Sequence, residues 1–277
     1  MNAASACRKR RPKERWHERD ASEGRAAGIE PARALRHLLF LVAFFGLWEW
    51  GSRAGWLDRT LFGQPSEIAH YLWRGFFVRG DLWLELGYTL AGTFISFLLG
   101  SVAAIVLGLA FTQWPPLERA LDPYLTVINA MPRFALAPLF LLWFGLGLSS
   151  KIAMGTSLSF FIVLANTVAG IRGVPQDFLT LSRSLGATPL QLFWKVTLPS
   201  AVPVIFSGLR LGLIFSMLGV VGAEIIAAEH GLGQTLAYLQ SNFNMDGVMA
   251  LLFLLAALGM VVVKGMARLE RWLLRWQ

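Results

Sequence analysis

The residues that could carry enzyme chemistry are few and widely spaced in this sequence. The four histidines lie far apart, and neither a His-Glu-x-x-His nor a Gly-x-Ser-x-Gly stretch occurs. No Gly-x-x-x-x-Gly-Lys-Ser/Thr loop is present to cradle a nucleotide phosphate. The sequence therefore predicts no catalytic residue, no metal site and no cofactor bound by this chain.

A second set of polar residues lies inside long apolar runs, where a charge is costly unless it faces water or a partner. Such residues can line a route for a solute, and two intramembrane arginines are compatible with an anionic one. The alternative is structural, because an arginine can bind the carbonyls of a broken helix or reach toward a membrane surface. Arg210 and Glu224 are 14 residues apart, about 21 Å along a helix, and so do not pair within one copy. The candidates are Asn129, Met131, Arg133, Asn166, Arg210 and Glu224.

The composition indicates that the helices carrying these residues lie in a membrane. Of 277 residues, 55% are hydrophobic and only 15% are charged. A soluble domain of this size does not keep so much apolar surface out of water, whereas lipid accommodates it. Cys7 is the only cysteine, so an internal disulfide is excluded.

The N-terminal segment differs from the rest of the chain. Residues 1–36 hold ten Lys and Arg against five Asp and Glu, and the net charge of the whole chain is +8. We expect residues 1–33 to form a basic, disordered cytoplasmic tail that fixes orientation and touches anionic membrane lipid. A nucleic-acid-binding arm is the alternative, and we predict no nucleic-acid partner.

Six apolar segments are long enough to cross a bilayer as helices. With the tail inside, the tail and the three inner loops carry eighteen of the 25 Lys and Arg residues, in agreement with the positive-inside rule. Lys151 is counted with the outer loops. We therefore expect a multi-pass protein of the inner (plasma) membrane with both termini in the cytoplasm. The expected spans are 34–55, 83–111, 120–148, 151–171, 199–227 and 247–266.

Two of the expected spans carry features that predict their packing. Pro132 and Pro138 interrupt the third span, and each removes a backbone donor, so we expect a kink or break there. Broken backbone at membrane depth is buried in protein or lines a wet cavity, which makes this span a candidate for a solute route. In the fifth span, Gly208 and Gly212 form a small-xxx-small pair that predicts close helix packing.

The loop at 174–198 has the pattern of two short helices. Asp177 lies in the expected first turn, and Gly186 suits a left-handed cap after the last apolar residue. Thr188 and Gln191 have capping-box spacing, and we expect Leu198-Pro199 to stop the second helix. Such a rigid helix-turn-helix presents apolar residues either to a groove on another protein or to its own bundle.

This loop also carries a recognisable sequence pattern. The stretch Ser182-Arg-Ser-Leu-Gly186-Ala-Thr-Pro is followed by Val196-Thr-Leu-Pro199, with nine residues between Gly186 and Val196. The pattern resembles the Glu-Ala-Ala loop of ABC importer permeases: Glu-Ala-Ala, three residues, Gly, nine residues, an aliphatic residue, one residue and Leu-Pro. Other stretches within 36–277 resemble the permeases of the nitrate, sulfonate, taurine and bicarbonate type, namely 135–151, Ser207-Gly-Leu-Arg-Leu-Gly212 and Gly231-Leu-Gly233.

The resemblance implies an all-α polytopic domain over 34–277, with the six transmembrane helices of a type I ABC importer permease and a cytoplasmic coupling helix-turn-helix at 174–198. It implies a second permease copy, two copies of an ATPase subunit that binds ATP and Mg, and a periplasmic or lipid-anchored substrate-binding protein. The residues implied to couple to the ATPase are Thr180, Ser182, Gly186, Ala187, Thr188, Phe193, Leu198 and Pro199.

One position departs from the family pattern, and the substrate stays open. The Glu of Glu-Ala-Ala falls on Thr180, so the acidic contact is missing, although Asp177 lies about one turn earlier. The implied substrate is a small anion or organic solute such as a sulfonate, taurine, nitrate or bicarbonate. An ion-driven secondary transporter is the alternative, because broken helices and midplane polar residues suit that class too.

Overall fold

The computed structural model describes residues 29–273, with side chains from residue 34 onward. The predicted tail therefore lies outside the described residues, except for its last five, which form the backbone of the first helical turns. Every regular element in the described part of the chain is helical. In chain order the helices are α1 (Ile29–Arg53), α2 (Arg59–Phe62), α3 (Pro65–Trp73), α4 (Asp81–Gln113), α5 (Pro115–Ala130), α6 (Ala137–Phe144), α7 (Leu148–Arg172), α8 (Gln176–Ser184), α9 (Pro189–Leu192), α10 (Leu198–Ile226), α11 (Leu232–Ser241) and α12 (Met245–Leu273).

The chain divides into two compact units at residues 59 and 60. In the first unit, α1 carries many exposed apolar side chains, as expected of a helix whose surroundings are lipid. Its end is fixed by an ion pair across one turn, with Arg53 Nε 2.7 Å from Glu49 Oε1. The ring of Trp50, in the last turn of α1, packs edge to face on that of Trp56, which follows the helix, with centroids 5.2 Å apart.

Length and hydropathy identify four membrane-crossing helices among the described residues: α4, α7, the continuous helix Pro189–Ile226, and α12. A fifth crossing results if the bent pair α5 and Arg133–Phe144 forms one span. Four of the six predicted spans are thus found by these criteria, and 120–148 is a fifth only if the bent pair is one span. The remaining one, 34–55, falls on α1, which has 25 residues but carries charged residues toward both ends.

The predicted break in the third span is present, and it is sharp. The two helical pieces, Pro115–Ala130 and Arg133–Phe144, meet at 89°. Met131 and Pro132 are extended at the break, because proline lacks an N–H and disfavours helical geometry in the residue before it. Pro138, by contrast, lies in the first turn of α6, where a missing N–H leaves no intrahelical bond unmade.

The centre of the second unit is formed by α4, α7 and α10, which pack on one another through small residues. A Cβ at Gly208 would overlap Asn166, and one at Gly212 would overlap Val163, so both glycines allow α10 to approach α7 closely. This confirms the packing predicted from their spacing. A hydroxyl pair joins α4 to α10 nearby, with Ser96 Oγ 2.7 Å from Ser216 Oγ.

The helical chain does not stop at Leu198-Pro199, so that prediction is wrong. The backbone at Leu198 is helical, and its N–H donates to the carbonyl of Phe193 five residues earlier. The turn Phe193–Thr197 is a π-helix. A π-helical turn is wider than an α-helical one, so it accommodates the hydrogen bond that Pro199 cannot donate and leaves room for the proline ring beside the preceding carbonyls. Helix α9 therefore continues into α10 as one helix.

Candidate functional site

The first candidate site is the helix-turn-helix at residues 174–198, here called the knob. Its turn is closed at Gly186, which has φ +83°, a conformation that glycine adopts without the strain a side chain adds. The Gly186 N–H donates to the Arg183 carbonyl (2.9 Å), and the Ala187 N–H donates to the Ser182 carbonyl (3.1 Å). These bonds end α8 with the left-handed cap expected from the sequence.

The second knob helix begins with the predicted capping box. The Gln191 N–H donates to Thr188 Oγ1 at 3.3 Å, and the Thr188 N–H donates to Gln191 Oε1 at 3.0 Å. Pro189 occupies the first turn, with its φ already suited to a helix. Both ends of the turn are therefore fixed by backbone and side-chain bonds, which makes the knob a rigid body.

The knob presents an apolar surface that nothing in the described part of the chain covers. Five large side chains on its two helices are each more than half exposed, while Phe193 is half-buried with its ring edge-on to Trp194. An exposed apolar patch of this kind is a candidate interaction surface. The five are Phe178, Leu181, Leu185, Leu190 and Trp194.

Ser182, at the last of the three Glu-Ala-Ala positions, and Ser184 two residues later bind the backbone of their own helix. Ser182 Oγ donates to the Phe178 carbonyl at 2.7 Å, and Ser184 Oγ donates to the Thr180 carbonyl at 3.0 Å. Thr180 itself is exposed, and Asp177 lies one turn earlier, in the first turn of α8. The knob thus keeps the shape expected from the resemblance and lacks a carboxylate at the Thr180 position.

Three of the predicted pathway residues come together at the break in the third span. Arg133 Nη1 donates to the Ser157 carbonyl on α7 at 2.5 Å, and Nη2 donates to Asn129 Oδ1 at 2.8 Å. Its guanidinium carbon lies 4.2 Å from the centroid of the Phe161 ring, a cation–π geometry. Met131 is exposed in the extended segment beside it.

The other candidates on α7 and α10 are engaged in contacts between helices. Arg210 forms an ion pair with Glu270 near the end of α12. Asn166 donates to the Ile162 carbonyl at 2.8 Å and packs against Gly208. These two side chains do not converge with Arg133, and their contacts join α10 to its neighbours.

Glu224 is the centre of a buried polar cluster, here called the Glu224 network, at the end of α10 opposite the knob. Only 1% of Glu224 is exposed. Its carboxylate accepts hydrogen bonds from Thr89 Oγ1 (2.9 and 3.0 Å) and from the Gly233 N–H (3.0 Å). Lys151 Nζ lies 3.6 Å from Glu224 Oε1. The negative charge is therefore met by a cation and two donors, as a buried carboxylate requires.

Lys151 does not lie in a loop, so its assignment to the outer loops is wrong. It occupies the first turn of α7 and is 2% exposed. Its ammonium group also donates to the His230 carbonyl and lies 5.8 Å from the centroid of the Tyr88 ring. The apolar sequence after it made position 151 look like the edge of a span, whereas the helix begins three residues earlier and directs the side chain inward.

A second carboxylate completes the network from α4. Glu85 accepts a hydrogen bond from the Gly231 N–H, and its Oε1 lies 3.2 Å from His230 Nδ1. The His230 ring stacks on Tyr88, with centroids 4.6 Å apart and planes inclined by 6°. The segment between α10 and α11 is thereby attached to α4 as well as to Glu224.

The Gly231-Leu-Gly233 stretch has a physical explanation in this network. A Cβ at either glycine would overlap Glu224, and Gly231 has φ +121°, a conformation that favours glycine. The intervening Leu232 N–H donates to Thr89 Oγ1 at 2.9 Å. The backbone of this stretch thus approaches the Glu224 carboxylate closely enough to bind it through the Gly233 N–H.

Sequence reasoning identified Glu224 and missed Lys151, Thr89 and Glu85. The sequence did contain a signal for Lys151. Lys151 comes at the start of the fourth predicted span and Glu224 lies late in the fifth, so the predicted topology places both on the same side of the membrane. Thr89 and Glu85 gave no comparable signal, since polar residues near the start of a span are common. Their role depends on contacts over more than 130 positions in sequence.

Residues 96–275 match the family described as binding-protein-dependent transport system inner membrane component. The match covers more than half of the chain, so this chain belongs to that family of ABC importer permeases. It is accordingly a transport subunit, and ATP hydrolysis in such importers is carried out by a separate ATPase subunit. The ion-driven secondary transporter is not favoured.

Curated relatives cover most of the chain. The formylaminopyrimidine transport permease of Halalkalibacterium halodurans is 31% identical over 88% of this chain and 97% of its own. The riboflavin transport system permease of Chloroflexus aurantiacus is 33% identical, covering 89% of this chain and 91% of its own. The putative aliphatic sulfonates permease of Escherichia coli K12 is 31% identical over 85% and 89%.

Solved structures share the fold. An inward-facing MetNI methionine ABC transporter chain superposes with a TM-score of 0.59 at 23% identity, covering 69% of this chain and 96% of its own. A chain of an amino acid ABC transporter solved with histidines gives 0.53 at 20% identity, over 70% and 92%. The helical architecture predicted from the resemblance, that of a type I importer permease, is confirmed.

Proposed function

We propose that two copies of this chain form the solute pathway of an importer, each engaging one ATPase subunit through its knob. The observation that carries the proposal is the exposed apolar surface on a rigidly capped helix-turn-helix. ATP and Mg bind to the ATPase subunits, and a periplasmic or lipid-anchored binding protein delivers the solute. The distribution of Lys and Arg supports an inner-membrane orientation with the knob and both termini in the cytoplasm.

In this mechanism the knob acts as a lever. Closure of the ATPase pair on ATP moves the apolar surface of the knob, and the continuous helix from Pro189 to Ile226 transmits that motion along α10. The bundle then switches between inward-open and outward-open states as a rigid body. The coupling residues fall into three groups. Gly186, Ala187 and Thr188 set the turn, and Phe193, Leu198 and Pro199 form the start of the lever. Thr180 and Ser182 lie on the first knob helix.

Replacing Gly186 with valine tests the lever. A β-branched side chain at φ +83° is strained, so the turn should open and transport should uncouple from ATP hydrolysis. Uptake into cells and co-purification of the ATPase are measured at matched permease levels. Gly55→Val is the control, because Gly55 has a similar φ of +76° and lies outside the knob. Normal uptake with normal ATPase binding in Gly186→Val would refute the lever.

The pathway residues are proposed from their contacts. Asn129, Met131 and Arg133 line the route at the break between α5 and α6, supported by the need to bury broken backbone or to expose it to a wet cavity. Asn166, Arg210 and Glu224 instead hold helices together through the bonds described above. For the substrate we propose an anionic or organic solute, supported by relatives named for sulfonates, taurine, bicarbonate, riboflavin and formylaminopyrimidine.

A further inference from the structure

A cavity of about 430 Å³ lies between α5 and α7, with Phe111 of α4 at its side. Its lining residues on α5 recur at three- and four-residue spacing from Glu118 to Asn129, so they form one helix face. A matching face of α7 runs from Arg172 back to Phe161. Eleven residues of helix correspond to a cavity about 16 Å long, reaching from the knob side of the bundle to the break in the third span.

Each end of the cavity is bridged by an arginine. At the knob side, Arg172 forms an ion pair with Glu118. At the deep end, Arg133 binds Asn129 and the Ser157 carbonyl, and its guanidinium lies over Phe161. Asn129 and Phe161 line the cavity and Arg133 does not. Side-chain bonds thus connect the two sides of the cavity, α5 and α7, at both of its ends.

The walls of the cavity are suited to an organic solute. Two aromatic rings and three aliphatic side chains line the cavity, and aromatic walls favour flat rings that stack on them. Its volume falls in the usual range for sites that hold organic ligands, and it is much larger than nitrate or bicarbonate. The apolar lining residues are Phe111, Leu125, Phe161, Leu164 and Val168.

Two polar side chains in the cavity retain hydrogen-bonding capacity. Arginine only donates, so the Asn129 amide turns its oxygen to Arg133 and leaves its NH₂ group without a partner among the described residues. The Thr126 hydroxyl, one turn earlier on the same face, likewise has no bond within the described part of the chain. A carbonyl, hydroxyl or ring nitrogen of a solute can bind both groups.

The charges of the cavity disfavour an anion. Glu118 neutralises Arg172 at the knob side, whereas Asp122 forms no ion pair with a described residue. Among the residues that line the cavity, the Asp122 carboxylate is therefore uncompensated and the only cation is paired.

The Arg133 guanidinium at the deep end has no carboxylate partner among the described residues, but Asn129, Phe161 and the Ser157 carbonyl cover it. We propose that the cavity binds an uncharged organic solute with a flat apolar body and a hydrogen-bonding edge, in preference to a small anion. This inference rests on the proposed function, which places the break at the deep end of the cavity on the transport route.

Thiol labelling of the intact importer in nanodiscs tests the inference. In a Cys7→Ser background, Ala165→Cys places one thiol on this chain inside the cavity, and Gln113→Cys places one on the exposed end of α4. Three methanethiosulfonate reagents are compared, with a benzyl group, a sulfonate and a trimethylammonium group. For each reagent, the labelling rate of Ala165→Cys is divided by its labelling rate of Gln113→Cys. This ratio should be about tenfold lower for the anionic reagent than for the benzyl reagent. Adding Asp122→Asn should raise the anionic rate and leave the benzyl rate unchanged.

Protection of the Ala165→Cys thiol supplies the second arm. Riboflavin, an uncharged flat heterocycle, should slow labelling, and hexanesulfonate or nitrate at the same concentration should not. Equal labelling by the anionic and benzyl reagents, or stronger protection by either anion, would overturn the inference. Labelling does not require transport. These outcomes can therefore overturn the inference without bearing on the proposed function, which is tested by ATPase binding and uptake.

Discussion

The knob and the Glu224 network lie at opposite ends of α10 and are built in opposite ways. The knob exposes large apolar side chains and is shaped by bonds between residues close in sequence, such as the Thr188–Gln191 capping box. The network buries charged side chains and is held by contacts between α4, α7, α10 and the start of α11. An apolar surface in water and a charge in a bundle are both unfavourable alone.

The difference indicates where each part finds its stability. The described residues leave the knob surface uncovered, and the shape of the knob is set by its own bonds. The network needs no partner, because its donors and acceptors satisfy one another within the bundle. Substitutions in the network should therefore change the stability of the fold, whereas substitutions on the knob surface should change only binding.

The largest effect is expected from Lys151→Met. The substitution leaves Glu224 buried without its cation, and removing one member of a buried ion pair costs about 3–5 kcal/mol. The free energy of unfolding of the purified permease, followed in a denaturing detergent titration, should fall by that amount. Combining Lys151→Met with Glu224→Gln should restore part of the loss, since the glutamine removes the uncompensated charge and keeps oxygen and nitrogen atoms near Thr89.

Lys264→Met is the matched control for this prediction. Lys264 lies on α12 with an exposed side chain, and the same chemical change there removes no buried pair. If Lys151→Met unfolds at the same denaturant concentration as Lys264→Met, the network does not stabilise the bundle, and the contrast between the two ends is incorrect.

On the knob, Trp194→Ala should weaken ATPase binding and leave stability unchanged. Exposed tryptophans in a docked apolar patch often act as binding hot spots worth about 2 kcal/mol or more, which is about 30-fold in the dissociation constant. Titration of the ATPase subunit onto the permease in nanodiscs measures this constant. Trp83→Ala is the control, since Trp83 has the same 58% exposure as Trp194 and lies outside the knob. Similar losses in both variants would count against a specific docking surface.

The same contrast explains which features could be predicted from the sequence. The turn at Gly186, the Thr188–Gln191 box and the break at Pro132 were all predictable, because each depends on the conformational preferences of residues within a few positions. The continuous helix through Leu198-Pro199 was not predictable. A π-helical turn accommodates the proline, and no local sequence pattern predicts that turn.

The Glu224 network shows the limit of prediction at the candidate site. Glu224 stood out as a charge in an apolar run, but its partners come from three other elements. Lys151 was misplaced because hydropathy alone does not show whether a residue at the edge of a span points into the bundle or into water. The cavity between α5 and α7 was equally hidden, since its two faces come from separate helices whose spacing depends on tertiary packing.

The smallest effect is expected from Thr188→Ala. This variant distinguishes the contribution of the shape of the knob to ATPase binding from that of its exposed apolar side chains. Loss of an N-cap hydroxyl costs about 1 kcal/mol of local helix stability, so the second knob helix should fray while all five exposed apolar side chains remain. ATPase binding should weaken about fivefold, and the global unfolding of the permease should not change. Thr197→Ala is the control, because Thr197 lies at the far end of the knob, makes no side-chain capping bond and is not among the proposed coupling residues. If Thr188→Ala binds the ATPase as tightly as Thr197→Ala, the partner itself orders the second helix, and the knob is not formed before binding.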